Sequence, residues 1–206
     1  MKSISTIVAA GMLLAAPALA NAEEAHFQIV GEPEFQGDCG GDAVINTLEG
    51  NPSIDILSPS LSVEANDQTP RSRKLCNVRV RVKIDPGYKL SLSNVFYEGW
   101  QSIDKSGGSG NVSARAYFQG LQSIHGFRAF RAGEAPDNFT VTVDRGTGQT
   151  VCGGETYLNL LVDLTARQQP GNGQFSEVVI QRGAATPGDP SYKSRIQCGV
   201  EQDTCN

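Results

Sequence analysis

The chain has 206 residues, 39% of them hydrophobic and 19% charged, with a formal net charge of −5. That length allows a sizeable core, while the acidic balance speaks against a general nucleic-acid binder, whose domain carries a net basic face. Beyond residue 22 no apolar run approaches the length of a membrane-spanning helix.

Residues 1–22 read as a signal peptide. Lys2 gives the positive start, Ile7-Val8-Ala9-Ala10-Gly11-Met12-Leu13-Leu14-Ala15-Ala16 the apolar stretch, and Pro17 its end. Small residues then stand at the cleavage spacing, as Ala18-Leu19-Ala20 or Ala20-Asn21-Ala22, and the mature chain is expected to begin near Glu23. No cysteine follows the cleavage site, so a lipoprotein anchor is not expected. Without Lys2 the mature part has 16 basic against 22 acidic residues, net −6. The expected location is secreted or periplasmic; outer surface and medium both fit.

Along the mature chain the apolar residues alternate at period two, the mark of half-buried strands. Phe27 and Ile29 begin a weak strand, and residues 43–49 and 54–63 read as two more, joined by a turn at Asn51-Pro52. The clearest run is Val78-Arg79-Val80-Arg81-Val82-Lys83-Ile84, whose even positions face a core while Arg79, Arg81 and Lys83 face water. Asp85-Pro86-Gly87 turns the chain, and Tyr88, Leu90 and Leu92 resume the pattern. Weaker strands are expected over 112–119 and 192–198, and stronger ones over 139–143, 156–165 and 178–180. Gly-rich and Pro-rich turns at 50–52, 106–110, 145–148, 170–173 and 187–190 separate them. No helix-period segment follows the signal peptide. The expected fold is an all-β, antiparallel β-sandwich stapled by disulfides, with jelly-roll and Ig-like topologies both open. Residues 23–198 form one domain in this reading, and 199–206 a C-terminal tail.

Five cysteines, Cys39, Cys76, Cys152, Cys198 and Cys205, all lie after the signal segment. In an oxidising compartment they read as structural disulfides. No Cys-x-x-Cys pair exists and the histidines are only His26 and His125, so no metal site and no cofactor are expected. If 43–49 and 54–63 run away and return, Cys39 and Cys76 meet at one end of the sandwich. Cys152 and Cys198 are then paired by elimination, leaving Cys205 over; a local Cys198–Cys205 bridge is the rival.

Two groups could carry binding. Arg79, Arg81 and Lys83 lie in line on one strand face, about 7 Å apart, an array able to attract an acidic polysaccharide or simply to solvate the sheet. Tyr97 and Trp100 flank Gly99 in an expected turn, where an indole can stack on a sugar; packing is the plainer use of both rings. Catalytic signals are weaker. His125 reads as a loop histidine beside a glycine, and Gly107-Gly108-Ser109-Gly110 lacks the last glycine of a nucleophile elbow. Asp55, Glu64, Glu98, Asp104 and Asp163 are candidates for a paired-carboxylate hydrolase, but strand spacing does not say which converge.

Several of these segments, in order, resemble a family of small secreted proteins, Domain of Unknown Function 4360. Gly37-Asp38-Cys39-Gly40-Gly41 is similar to its early Gly-x-Gly-Cys turn, and Ser72-Arg73-Lys74-Leu75-Cys76-Asn77-Val78 to the entry of its alternating strand. Pro86-Gly87-Tyr88, Tyr97-Glu98-Gly99-Trp100, Ala116-Tyr117-Phe118-Gln119-Gly120, Val151-Cys152-Gly153-Gly154 and Tyr157-Leu158-Asn159-Leu160 continue the resemblance across most of 27–198. The end departs from it: Ser194-Arg195-Ile196-Gln197-Cys198 lacks the family's aromatic and basic stretch, and Cys205 lies beyond. The resemblance implies a secreted β-domain and no established activity. The expectation is a non-enzymatic, secreted binding protein for a polysaccharide or cell-surface component, with a carboxylate hydrolase, a structural envelope protein or an inhibitor as alternatives.

Overall fold

The computed structural model describes residues 26–39, 44–47, 53–59, 61–143, 152–171, 173–180 and 193–205. The signal segment expected over 1–22 and the turns expected at 50–52, 145–148 and 187–190 lie outside the described residues. What is described consists of antiparallel strands and their connections, with no helix among them.

The strands form two sheets. The first runs β1 (Phe27–Ile29), β6 (Arg71–Ile84), β11 (Gly154–Arg167), β8 (Ser109–Phe118) and β9 (Ile124–Arg131), and β2 (Glu34–Gly37) also pairs with β6. The second runs β3 (Val44–Thr47), β4 (Ser53–Pro59), β13 (Lys193–Thr204), β7 (Tyr88–Ser102), β12 (Ser176–Ile180) and β5 (Leu61–Ala65). In the second sheet β10 (Asp137–Val143) lies along β7 from Val95 to Gln101. The other edge of β7 carries β13 up to Tyr97 and β12 from Gly99.

Alternation drives the packing, because successive side chains on a strand point to opposite faces. Val78, Val80, Val82 and Ile84 of β6 are buried, as are Leu158, Leu160, Val162 and Leu164 of β11. Their counterparts from the facing sheet include Val63, Leu90, Val141, Val178 and Ile180, and all belong to one hydrophobic cluster. The expected antiparallel sandwich is therefore the fold, its core filled by the inner faces of both sheets.

Three local expectations are corrected. The first concerns 97–100, which is mid-strand in β7 rather than a turn. Leu90 and Leu92 point inward, but so do Val95, Tyr97 and Gln101, so the parity inverts between 92 and 95. A register shift on the partner, between Cys198 and Val200, marks the same place. A β-bulge of this kind re-aims every later side chain. Gly99 is a glycine for space: a Cβ there would stand 2.3 Å from the Phe139 ring and from the Val179 carbonyl oxygen.

Second, His125 is on strand β9, not in a loop, and pairs in register with Arg115. Third, the boundary expected at 198 falls inside β13, which pairs with β7 as far as Thr204 opposite Tyr88. Lys89 and Asp203 form an ion pair at 3.2 Å along this last stretch.

Two disulfides are described. Cys39 is bonded to Cys76, with Cα atoms 4.8 Å apart. Cys152 is bonded to Cys205, with Cα atoms 5.8 Å apart, and not to Cys198; the rival Cys198–Cys205 bridge is equally overturned. Cys198 lies within β13, in register with Ile54 on one side and Val95 on the other. Cys205 follows the strand's end, where its N–H donates to the Gly87 carbonyl at 2.7 Å. The N–H of Gly153, next to Cys152, donates to the Tyr88 carbonyl at 2.9 Å. The 85–88 turn thus gathers both cysteines.

Candidate functional site

The cation row anticipated on β6 is real in geometry and largely neutralised in charge. Arg79, Arg81 and Lys83 share the outer face of the first sheet. Arg79 is half-buried, donates to Glu34 at 2.9 Å and lies 4.3 Å over the Tyr157 ring. Arg81 is paired with Glu155, which holds its guanidinium pKa above the usual arginine value, the hydrogen bond first and the charge second. Lys83 is exposed, between Gln28 and Glu155 in register. A hollow of about 460 Å³ lies here, lined by Arg81, Gln119, Glu155, Thr156 and Tyr157.

Tyr97 and Trp100 do not share a surface. Tyr97 is fully buried, and its hydroxyl donates to the Arg115 carbonyl of the facing sheet at 3.1 Å. Trp100 is half-buried on the opposite, outer face, between Asn138 of β10 and Val179 of β12. Continuing the Leu90 and Leu92 alternation would have placed Tyr97 outside and Trp100 inside; the bulge reverses them.

Two residues beyond Trp100 on the same face, Ser102 begins the wall of a pocket of about 620 Å³. Lys105 comes from the loop after β7, Pro136 from the loop before β10, and Gln174 and Phe175 from the loop before β12. Phe175 is 51% exposed, which is unusual for a phenylalanine with a pocket beside it. The polar floor is held from behind. The Asp104 carboxylate accepts hydrogen bonds from the Ser106 N–H at 3.1 Å, the Ser106 hydroxyl at 2.8–2.9 Å and the Gln168 amide at 2.9 Å. Ser176 donates to Gln168 at 3.1 Å and accepts from the Asp104 N–H at 3.1 Å. With its oxygens so engaged, Asp104 is a brace rather than a ligand group. Gly108 must be glycine for this network to close, since a Cβ there would stand 2.2 Å from the Ser176 hydroxyl oxygen. The glycine run at 106–110, which reads as a flexible loop, is packed at this point.

Glu177 adjoins the pocket. It stands opposite Ser102 on one side and Glu64 of β5 on the other. Burial raises the Glu177 pKa, and the Glu64 charge raises it further. Glu64 itself accepts from Asn66 at 3.1 Å. Of the other carboxylate candidates, Asp163 is committed to Arg73 at 2.6 Å, Glu98 is on the outer face of β7, and the Asp55 side chain lies outside the described residues. Phe175, Gln174 and Glu177 carried no sequence signal of their own: the first two are in a polar loop, and the carboxylate's partner is over a hundred positions away in the chain.

Among the described residues no group of three or more His, Cys, Asp or Glu is placed to hold a metal ion, and no helix is long and apolar enough to cross a membrane. Residues 39–186 match the model of a family described as "Domain of unknown function (DUF4360)". That span is well over half of the chain, which therefore belongs to this family. No curated protein matches. Among solved structures the chain is similar to a loop-swap mutant of Necallimastix patriciarum Xyn11A, at 11% identity over 66% of this chain and 95% of that one; the TM-score is 0.19, too low to transfer anything.

Proposed function

We propose that this DUF4360 member is an exported, non-enzymatic protein that binds carbohydrate at the pocket beside Phe175, with Trp100 extending the contact along β7. The observation that carries this reading is the half-exposed Phe175 ring on the rim of a braced pocket of about 620 Å³. That volume lies in the range of small-ligand sites, which combine apolar faces with a few convergent polar groups. A sugar presents a C–H face to an aromatic ring and hydroxyls to groups such as Ser102, Lys105 and Gln174. Export is supported by the apolar, small-residue N-terminal segment and by the two disulfides. A glycan array probed with wild-type protein, followed by calorimetry on the strongest hit, tests the reading. Phe175→Ala should weaken binding about tenfold or more without lowering the melting temperature, as loss of an anchoring aromatic does. Undiminished binding by that variant overturns it.

A hydrolase is the second reading, favoured by Glu177 and Glu64. Residues directly opposite on antiparallel strands have Cβ atoms about 5 Å apart, compatible with the carboxyl separation of a retaining glycosidase, about 5–5.5 Å. Glu177, whose pKa burial and then Glu64 push up, would be the acid. Release of reducing ends from a polysaccharide panel, abolished by Glu177→Gln, would replace the binding reading with this one.

A further inference from the structure

Three other cations of the first sheet lie on one rung at the far end of β6 from the row read in the sequence, and among the described residues they form no ion pair with a carboxylate. Arg71 of β6 stands directly opposite Arg167 of β11, Arg167 opposite Ser109 of β8, and Ser109 opposite Arg131 of β9. All three arginines are exposed, and among the described residues none forms an ion pair. Glu134 accepts a hydrogen bond at 3.0 Å from the backbone N–H of Arg131. The adjoining rung is Arg73, Thr165, Asn111 and Ala129, without a carboxylate, and Arg73 reaches beyond it to Asp163. Like charges directly opposite each other weaken an antiparallel pair. The Arg71–Arg167 juxtaposition is therefore a local cost in the free protein, and a bound anion removes it.

We propose that this rung binds an acidic polysaccharide laid across the strands, at a site separate from the Phe175 pocket. Neighbouring strands are about 4.8 Å apart, so Arg71 and Arg167 are one spacing apart and Arg131 stands roughly 10 Å beyond Arg167. Guanidinium groups grip carboxylate or sulfate oxygens in pairs. Between and beside them Ser109, Thr165 and Asn111 offer neutral hydrogen-bonding groups suited to a hydroxyl-rich chain. Neither rung carries an aromatic side chain, whereas single-stranded nucleic acid is held by base stacking as well as charge.

The test is a fluorescence-anisotropy titration of the disulfide-bonded protein with labelled oligogalacturonate at low salt. Wild type should bind, and added salt should weaken the binding. Arg71→Gln with Arg167→Gln should reduce affinity about tenfold or more while the melting temperature stays level or rises. Arg79→Gln with Arg81→Gln, and Phe175→Ala, should stay within about twofold, being distant and independent. The last variant separates this proposal from the pocket reading. Failure of the wild type to bind overturns the proposal, as does full affinity in the Arg71/Arg167 variant or equal loss in the Arg79/Arg81 variant. Equal binding of labelled oligothymidylate overturns the assignment to polysaccharide.

Discussion

Cys152 and Cys205 are bonded beside the turn at which β6 of one sheet passes the chain to β7 of the other. Cys152 precedes β11, which pairs with β6, and Cys205 follows β13, which pairs with β7. The bond therefore ties the sheets together where the backbone already crosses between them. It also closes 53 residues of chain, and restricting such a loop in the unfolded state contributes about 2–4 kcal/mol. Cys205→Ser is expected to lower the unfolding free energy measured in urea by that much, and non-reducing peptide mapping should give a Cys152–Cys205 peptide. A Cys152–Cys198 peptide would sink both expectations.

The faces of β6 make a second, sharper contrast. Val80 is fully buried among the valines and leucines of the core, while Arg81, the next residue, is exposed and paired with Glu155. Val80→Asp places an unpaired charge in the core and should cost on the order of 4–5 kcal/mol or abolish folding. Arg81→Ser removes an exposed ion pair that solvent screens, and should leave stability nearly unchanged. Thermal melts of the two variants decide it, and equal shifts would mean that the faces are assigned wrongly.

The same contrast shows what a sequence can and cannot say here. Val78 to Ile84 alternates over an uninterrupted ladder, so its faces were legible. The Tyr97 and Trp100 faces were not, because a bulge leaves no mark in the alternation until the parity is seen to have flipped. The Cys39–Cys76 bond followed from an out-and-back path. The Cys152–Cys205 bond did not, because a polar segment such as Glu201-Gln202-Asp203-Thr204 carries no apolar face to announce a strand. The candidate site was the least legible part. Its pocket is assembled from three loops, and the arginine rung from three strands whose order is set by the fold alone.

Gly99 tests the bulge and the packing around it. With the Phe139 ring and the Val179 carbonyl oxygen each 2.3 Å from a would-be Cβ, even alanine must displace β10 or β12. Gly99→Ala is expected to destabilise by about 1–3 kcal/mol, the usual cost of overpacking. If 97–100 were an open turn, the same change would be neutral or slightly stabilising, so the sign of the midpoint shift in urea is the readout.

The Glu177–Glu64 pairing gives the protein a stability term of known sign in pH. Burial, and then Glu64, raise the Glu177 pKa above the ordinary glutamate value. A carboxyl raised in the folded state binds more protons folded than unfolded between its two pKa values, so stability falls as pH rises through that window. The stabilising contribution is fully present below the unfolded value and lost above the folded one. Glu177→Gln removes the titration and keeps the shape. The pair is half open to water and screened, so at pH 7 the variant should gain only about 0.2–1 kcal/mol over wild type. Near pH 4, where the wild-type carboxyl is already protonated, the gain should vanish. Comparing variant with wild type at each pH cancels the titrations common to both, including that of Asp203, whose pKa the Lys89 hydrogen bond lowers. A gain of equal size at both pH values would show that the amide packs better for reasons unrelated to charge, and the coupling of Glu177 to Glu64 would have to be given up.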